Sequence, residues 1–573
     1  MAVTTEHGAT LRVHPHVGMA QISGTPVSEA RFRSLLARHT IEDWLQTIGK
    51  MSRALDDLPP GSGQLDCEIA AYLGPLTKRA LRVIDEEGRF VSQGALNTVA
   101  REALFWGADG EPVGFDDQGR REIAWALLGA VDLFEDQQPV VGVPESEAHA
   151  VLASLMLRRI ARPYGHLRNR IPRTHRLFVD LPNAHPELAA GFDFDARSRE
   201  LCGVEIARYL AICFTFHSRF GTANLRDPSQ WILALDYYLA ASSVSEDEFR
   251  SVIGTVSATP DELLADYEHE IGEGFSGIDD HRPLVRRPIC EVRPSAFVPI
   301  DFEALGERLL GDGIYWRLKP VKDPDRSDFG AVVGKMLEEH LYEVIRDVCP
   351  APAPPGPDRL FREKRYRVSA GGVSSPVDSP DIVLFDDQAV MVCEIGANPV
   401  NVRDTIHRGS IASFDADVQN VLIPRVQQLH RKIDDIRRGA LTYDREITSS
   451  TRIEPVVCLL DGFPLAPFVR ERIDSAIAAS GYLDLPYVGR LSILGAEDIE
   501  VACGAIETRG HSMTDLLAGH AADDNVKDWP LSDYVRKLTG ELPITSLLTR
   551  EFDRVTAAIT DEIRPEDASG ASV

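Results

Sequence analysis

Asp381 and Glu394 mark the two ends of a segment that reads as a β-hairpin. The run Pro380-Asp381-Ile-Val-Leu-Phe-Asp386 is a strand entered through a proline. Asp387-Gln388 is its turn, and Ala389 to Glu394 (Ala-Val-Met-Val-Cys-Glu) is the returning strand. A turn centred there sets Asp381 opposite Glu394 on one face, with Cβ atoms about 4.5–5.5 Å apart. Ile382, Leu384, Met391 and Cys393 fall on one face and Val383, Phe385, Val390 and Val392 on the other. That is the pattern of a strand pair buried on both sides. Two anions side by side at the end of such a hairpin repel unless a cation lies between them. A hard divalent cation bound through oxygen is the natural candidate. An odd-length loop would instead put the two acids on opposite faces. The segment would then be a buried hairpin with one carboxylate at a strand end and the other paired to an arginine.

The elements around this hairpin follow a clear order. Phe329 to Val348 has the spacing of an amphipathic helix, and Cys349 to Pro357 is a stiff proline-rich spacer. Strand-like runs follow at Leu360–Val368, Asp381–Asp386 and Ala389–Ile395. A long helical stretch from about Phe414 to Arg438 is broken or kinked at Pro424, and Arg452 to Leu460 is a further strand. Beyond it, Pro467–Ser480 and Ala496–Ala502 read as helices and Arg490–Leu494 as a short strand. Upstream, Glu29 to Ser276 is mainly helical, with a helix after Thr259-Pro260 that places proline at its first position. The passage from His281 to Pro299 is irregular, and Gly313 to Leu318 is a short packing element.

Helix, three strands, helix, strand, with these acids in these places, resembles the PD-(D/E)XK nuclease superfamily, the restriction-endonuclease-like fold. Four features carry the resemblance. They are Gly334-Lys-Met-Leu337-Glu338 in the leading helix, Pro380-Asp381, Glu394-Ile395-Gly396, and Gln427-Gln428-Leu429 in the long helix. It covers under a third of the chain. The resemblance implies that Asp381 and Glu394 bind Mg²⁺ or Mn²⁺, that Glu338 is an accessory acid, and that the metal activates a water for attack on a phosphodiester. It also implies a lysine two residues past the strand glutamate, on the same strand face. This chain has Gly396 there. A replacement cation could come from Lys364 on the first strand or Lys432 on the long helix, and spacing selects neither.

A local basic run points to phosphate. Between Ala148 and Val179 there is no acidic residue, but there are seven arginines: Arg158, Arg159, Arg162, Arg168, Arg170, Arg173 and Arg176. Read as a loop, the run would let the guanidinium groups converge on a nucleic-acid backbone. The alternative is that they pair with acidic patches of the protein or of a partner subunit. A second cluster, Arg425, Arg431, Lys432, Arg437 and Arg438, is partly cancelled by Asp434 and Asp435.

The net charge of −27 over 573 residues excludes generic nucleic-acid binding by the whole surface. No apolar run is long enough to span a bilayer and no signal-peptide pattern is present, so a membrane partner is not expected. The eight cysteines are dispersed without a Cys-x-x-Cys pair, which suits a cytoplasmic location and argues against a zinc ribbon.

The expected architecture divides the chain into a tail (1–24), a mainly α-helical region (25–298), a connecting segment (299–326), a restriction-endonuclease-like α/β domain with a mixed central sheet (327–510), a helical extension (511–561) and a tail (562–573). The expected function is a metal-dependent nuclease acting on DNA, or else RNA. By family analogy it would serve in defence against foreign DNA, as a homo-oligomer or with a partner protein. The alternative is a nuclease-like nucleic-acid-binding or scaffold protein that has lost the chemistry.

Overall fold

In the computed structural model the chain is a mixed α/β protein rich in helices. The structure describes residues 2–4, 10–12, 17–58, 62–87, 89–134, 150, 152–154, 156–157 and 167–564, except 190, 224–227, 273–280, 311–312, 321–325, 350–357, 371–372, 387–388, 398–399, 408, 446 and 449. The proline-rich spacer, the two turn residues Asp387 and Gln388, and Arg158, Arg159 and Arg162 of the basic run lie outside those residues, as do residues 1, 5–9 and 13–16 of the first tail and 565–573 of the second. Among the described residues no helix is long and apolar enough to cross a membrane.

The amino-terminal helices between Met19 and Phe134 pack around Trp44, Leu45, Phe32, Phe90 and Leu127. Helix Pro260–Gly272 begins as the sequence indicates: Glu262 N–H donates to Thr259 Oγ1 and Glu262 Oε2 accepts from Thr259 N–H, a reciprocal cap. The passage from His281 to Pro299, expected to be irregular, instead holds a helix (Arg282–Arg286) and an antiparallel strand pair, Ile289–Arg293 and Ala296–Pro299. Its turn is Pro294-Ser295, with Ser295 at φ 62° and its N–H bonded to Glu291 Oε1 at 2.7 Å. A serine in that left-handed position replaces the glycine or asparagine that would have marked the hairpin in the sequence.

The carboxy-terminal half is built on a five-stranded sheet. Helix α1 (Leu167–His175) comes from the basic run, and helix α2 (Arg326–Val348) precedes the sheet. Strands β1 (Leu360–Arg362), β2 (Ile382–Phe385) and β3 (Ala389–Gly396) are successively antiparallel. Helix α3 (Ile423–Arg437) then crosses to β4 (Arg452–Leu459), which pairs parallel to β3. Helix α4 (Pro467–Ser480), strand β5 (Ser492–Gly495, parallel to β4) and helix α5 (Ala496–Arg509) complete the domain. The strand order is β5-β4-β3-β2-β1. Pro424 sits in the first turn of α3, where its missing N–H costs no helical bond, directly after a π-helical turn (Val418–Leu422), so the expected interruption is a change of helix type.

Both faces of the β2–β3 hairpin are buried, each in its own core. Ile382, Leu384, Met391 and Cys393 pack with α2 residues Met336, Leu337 and Leu341. Val383, Phe385, Val390 and Val392 pack with α3 residues Val426, Leu429 and Ile433. The first of these cores runs without a break from Ile171 through Tyr209, Phe249 and Tyr315 to α2, the sheet and Ile559. The expected division near residue 326 therefore falls inside a continuous core.

Candidate active site

The register of the hairpin decides the geometry. Ile382 pairs with Cys393 and Phe385 with Val390, so one step further along the ladder Asp381 stands opposite Glu394. On the other side, Ile382 pairs with Arg362, so the same step sets Glu363 opposite Asp381. Three carboxylates thus form a row across the ends of β1, β2 and β3, on the face covered by α3. Asp381 closes the ladder with its side chain, its Oδ2 accepting from Ile395 N–H at 2.7 Å.

Glu338 reaches the row from α2. Oxygens of Glu338, Glu363 and Asp381 lie within 4.8 Å of one another. Lys335, one turn before Glu338, donates to Glu338 Oε2 at 2.7 Å and to Glu363 Oε2 at 2.9 Å. The fourth acid, Glu394, is turned toward α3, where Lys432 Nζ donates to its Oε1 at 2.6 Å. Glu394 is 3% exposed, so this contact is largely shielded from water.

The electrostatics follow from crowding anions in a dry place. Burial, followed by the charge of Asp381, pushes Glu394 up to about 8 despite Lys432. Burial and the same neighbour push Glu338 up to about 7. Asp381 is also raised, by burial, against the pull of Lys432 and the Ile395 amide. Burial alone would lower Lys335, but Glu338 and Glu363 overcome it and raise it. An all-oxygen donor set whose members resist ionising together suits a hard divalent cation, with water completing its coordination. Such an ion would relieve the repulsion that Lys335 now relieves in part.

Gly396 occupies the position where the resemblance expects a lysine, and the space beside it is filled. A Cβ on residue 396 would lie 1.9 Å from Nη2 and 2.0 Å from Cζ of Arg425. Arg425 and Lys432 are two turns apart on α3 and share its sheet-facing side with Leu429. Positive charge therefore enters the site from the helix and not from the strand.

The other candidates are placed as follows. Lys364 is away from the carboxylates: its Nζ donates to Thr442 O at 2.7 Å and lies 4.3 Å from the centre of the Tyr443 ring. Lys432, and not Lys364, is the lysine bonded to a carboxylate of the row. The basic run also needs correction. Residues 167–175 form helix α1 and not a loop, because Ile171 packs into the core and turns the neighbouring arginines inward. Arg173 Nη1 bonds Glu500 Oε2 at 2.5 Å, Arg170 Nε stands 3.8 Å from Glu497, and Arg176 pairs with Glu343. His340 Nε2 also contacts Glu500, at 2.8 Å. Arg170, Arg173 and Arg176 are thus spent on internal acids, leaving Arg168, exposed near the Phe552 ring, as the run's outward cation among the described residues.

Glu363 is the site residue that the sequence did not disclose. Its signal was the pairing of β1 with β2, which a single long first strand obscures. The chain turns away at Glu363, and Arg365–Ala370 forms a separate hairpin with Val373–Asp378. No family model matches the chain, and no curated protein or solved structure is detectably similar to it.

Proposed function

We propose that the chain is a metal-dependent nuclease that hydrolyses phosphodiester bonds in DNA, carried by a restriction-endonuclease-like domain within residues 326–510. The observation that carries the reading is the carboxylate row Glu363–Asp381–Glu394, completed by Glu338 and answered by Lys432. The order of elements supports it: a helix, three mutually antiparallel sheet strands with a separate hairpin between the first and second, a helix and a parallel fourth strand.

Asp381, Glu338 and Glu363 would hold Mg²⁺ or Mn²⁺. Bound there, the ion supplies Lewis acidity at a phosphoryl oxygen and lowers the pKa of a water. The chain's own residues do the rest. Glu394, fixed by Lys432, takes the proton of the attacking water. The water oxygen bonds to phosphorus, and the phosphorus–oxygen bond to one sugar breaks. The departing alkoxide takes a proton from solvent, giving a phosphate monoester and a free hydroxyl. Lys432 holds the Glu394 carboxylate in place and offsets negative charge as the transition state forms.

A nucleic-acid-binding scaffold without chemistry is the competing reading. Lys432 favours the chemical reading by placing a cation at the strand glutamate, where the resemblance expects one. The test is nicking of supercoiled plasmid with Mg²⁺ or Mn²⁺, against Ca²⁺ and chelator controls. Metal-dependent nicking lost in Glu394→Gln supports the reading. Binding without nicking in any metal would favour the scaffold.

A further inference from the structure

We propose that Arg425 is a phosphate-contacting residue of this site, resting on the nuclease reading above, and that Gly396 is glycine so that its guanidinium can stand there. Three observations carry this. The first is steric. With Cζ only 2.0 Å from where a Cβ would be, any side chain at residue 396 and the present position of Arg425 exclude one another. No left-handed backbone explains the glycine, because Gly396 is not among the glycines with positive φ. Its role is to leave space beside the strand.

The second is the state of the guanidinium. Among the described residues its hydrogen-bond partner is a neutral one, the Ile395 carbonyl, reached by Nη1 at 2.8 Å, and no carboxylate pairs with it. Arg170, Arg173, Arg176, Arg359, Arg470 and Arg490 all face acids in this structure. Arginine carries five donors in a planar fork, so an anchoring bond to Ile395 uses a small part of its capacity. The third is location. The residue lies on the row's side of β3, close enough that its charge is felt by Glu394. A planar cation with open donors, half-buried beside a set of metal-binding acids, matches a phosphate oxygen in size, charge and geometry. Arg425 thus grips the phosphate while Lys432, two turns on, holds Glu394.

The test pairs binding with cutting. Affinity for a fluorescein-labelled DNA duplex is measured in Ca²⁺ across a salt series, and cleavage of the same duplex is measured in Mg²⁺. The proteins are the wild type, Arg425→Gln, Arg425→Lys and Gly396→Ala. Loss of one phosphate contact lowers the slope of log affinity against log salt by about 0.9, and loss of one oriented donor to a transition state lowers turnover by about 10²–10³-fold. Arg425→Gln is expected to show both, and Arg425→Lys is expected to recover the slope but only part of the turnover. Gly396→Ala leaves Arg425 in the sequence but displaces it, and is expected to copy Arg425→Gln. A wild type that binds and cuts, with an unchanged slope in Arg425→Gln, overturns the assignment and leaves the nuclease reading standing. A wild type that neither binds nor cuts overturns the nuclease reading, and this assignment with it.

Discussion

Lys432 Nζ lies 2.6 Å from Glu394 Oε1, so the cation beside the strand glutamate is supplied by the helix that follows the hairpin. Lys432→Met removes that charge and pushes Glu394 still further up, because the pull that opposes its burial is gone. Turnover is expected to fall about 10²–10⁴-fold. What remains is expected to have its pH–rate profile displaced to higher pH, with Lys432→Arg restoring part of the rate. Pre-steady-state cleavage as a function of pH checks this.

Asp381→Asn trades activity for stability. The amide oxygen can still accept from Ile395 N–H, while the repulsion against Glu338 and Glu394 disappears. The sign follows from linkage. Carboxyls raised in the folded state keep protons that the unfolded chain has released. Their contribution is full below the unfolded values and is lost as pH rises through about 7 for Glu338 and about 8 for Glu394. The metal-free wild type is therefore expected to lose melting temperature from pH 5 to pH 9 (about those limits). Asp381→Asn is expected to melt several degrees higher at the alkaline end, with little difference at the acid end. Thermal scans across pH, in chelator, measure it.

Lys335 would compete with a bound ion. Its ammonium bridges Glu338 and Glu363, the acids that would share a metal with Asp381. Removing a like charge at that distance favours the cation, so Lys335→Gln is expected to tighten Mn²⁺ binding by about tenfold, or roughly 1.4 kcal/mol. Glu363→Gln is expected to weaken it. Calorimetric titration with Mn²⁺ gives both values, and weaker binding in Lys335→Gln would mean that the lysine belongs to the site in another role.

The hairpin and its register were legible in the sequence because every described position between Asp381 and Glu394 is committed by burial. With apolar residues on both faces and a two-residue turn, a slip of one residue would carry both acids to the wrong places. The faces assigned from alternation are the faces that pack against α2 and α3. Glu363 was not legible because its place depends on pairing between β1 and β2, which lie far apart along the chain with another hairpin between them. The choice between Lys364 and Lys432 needed the distance across the sheet face, which no local pattern carries. The basic run misled for a related reason. An absence of acids along the sequence says nothing about acids brought in by distant elements, and Glu343, Glu497 and Glu500 come from α2 and α5.

Arg173 is accordingly a stability residue. Glu500 is fully buried between Arg173 and His340, and its carboxyl is held below its ordinary value: burial alone would raise it, but Arg173 and His340 overcome that. Arg173→Met leaves this carboxylate with His340 alone, and is expected to cost about 3–5 kcal/mol. Denaturant unfolding measures the loss. The same variant is expected to bind DNA with an unchanged salt slope.

The most direct measurement of the central claim is single-turnover cleavage of a DNA duplex in Mn²⁺ by wild type, Asp381→Asn and Lys432→Met, each first shown to be folded by its melting transition. The expected result is metal-dependent cutting by the wild type, none by Asp381→Asn although it is the more stable protein, and residual cutting by Lys432→Met. Cutting by Asp381→Asn at the wild-type rate would contradict the account, because the chemistry would then lie outside the carboxylate row.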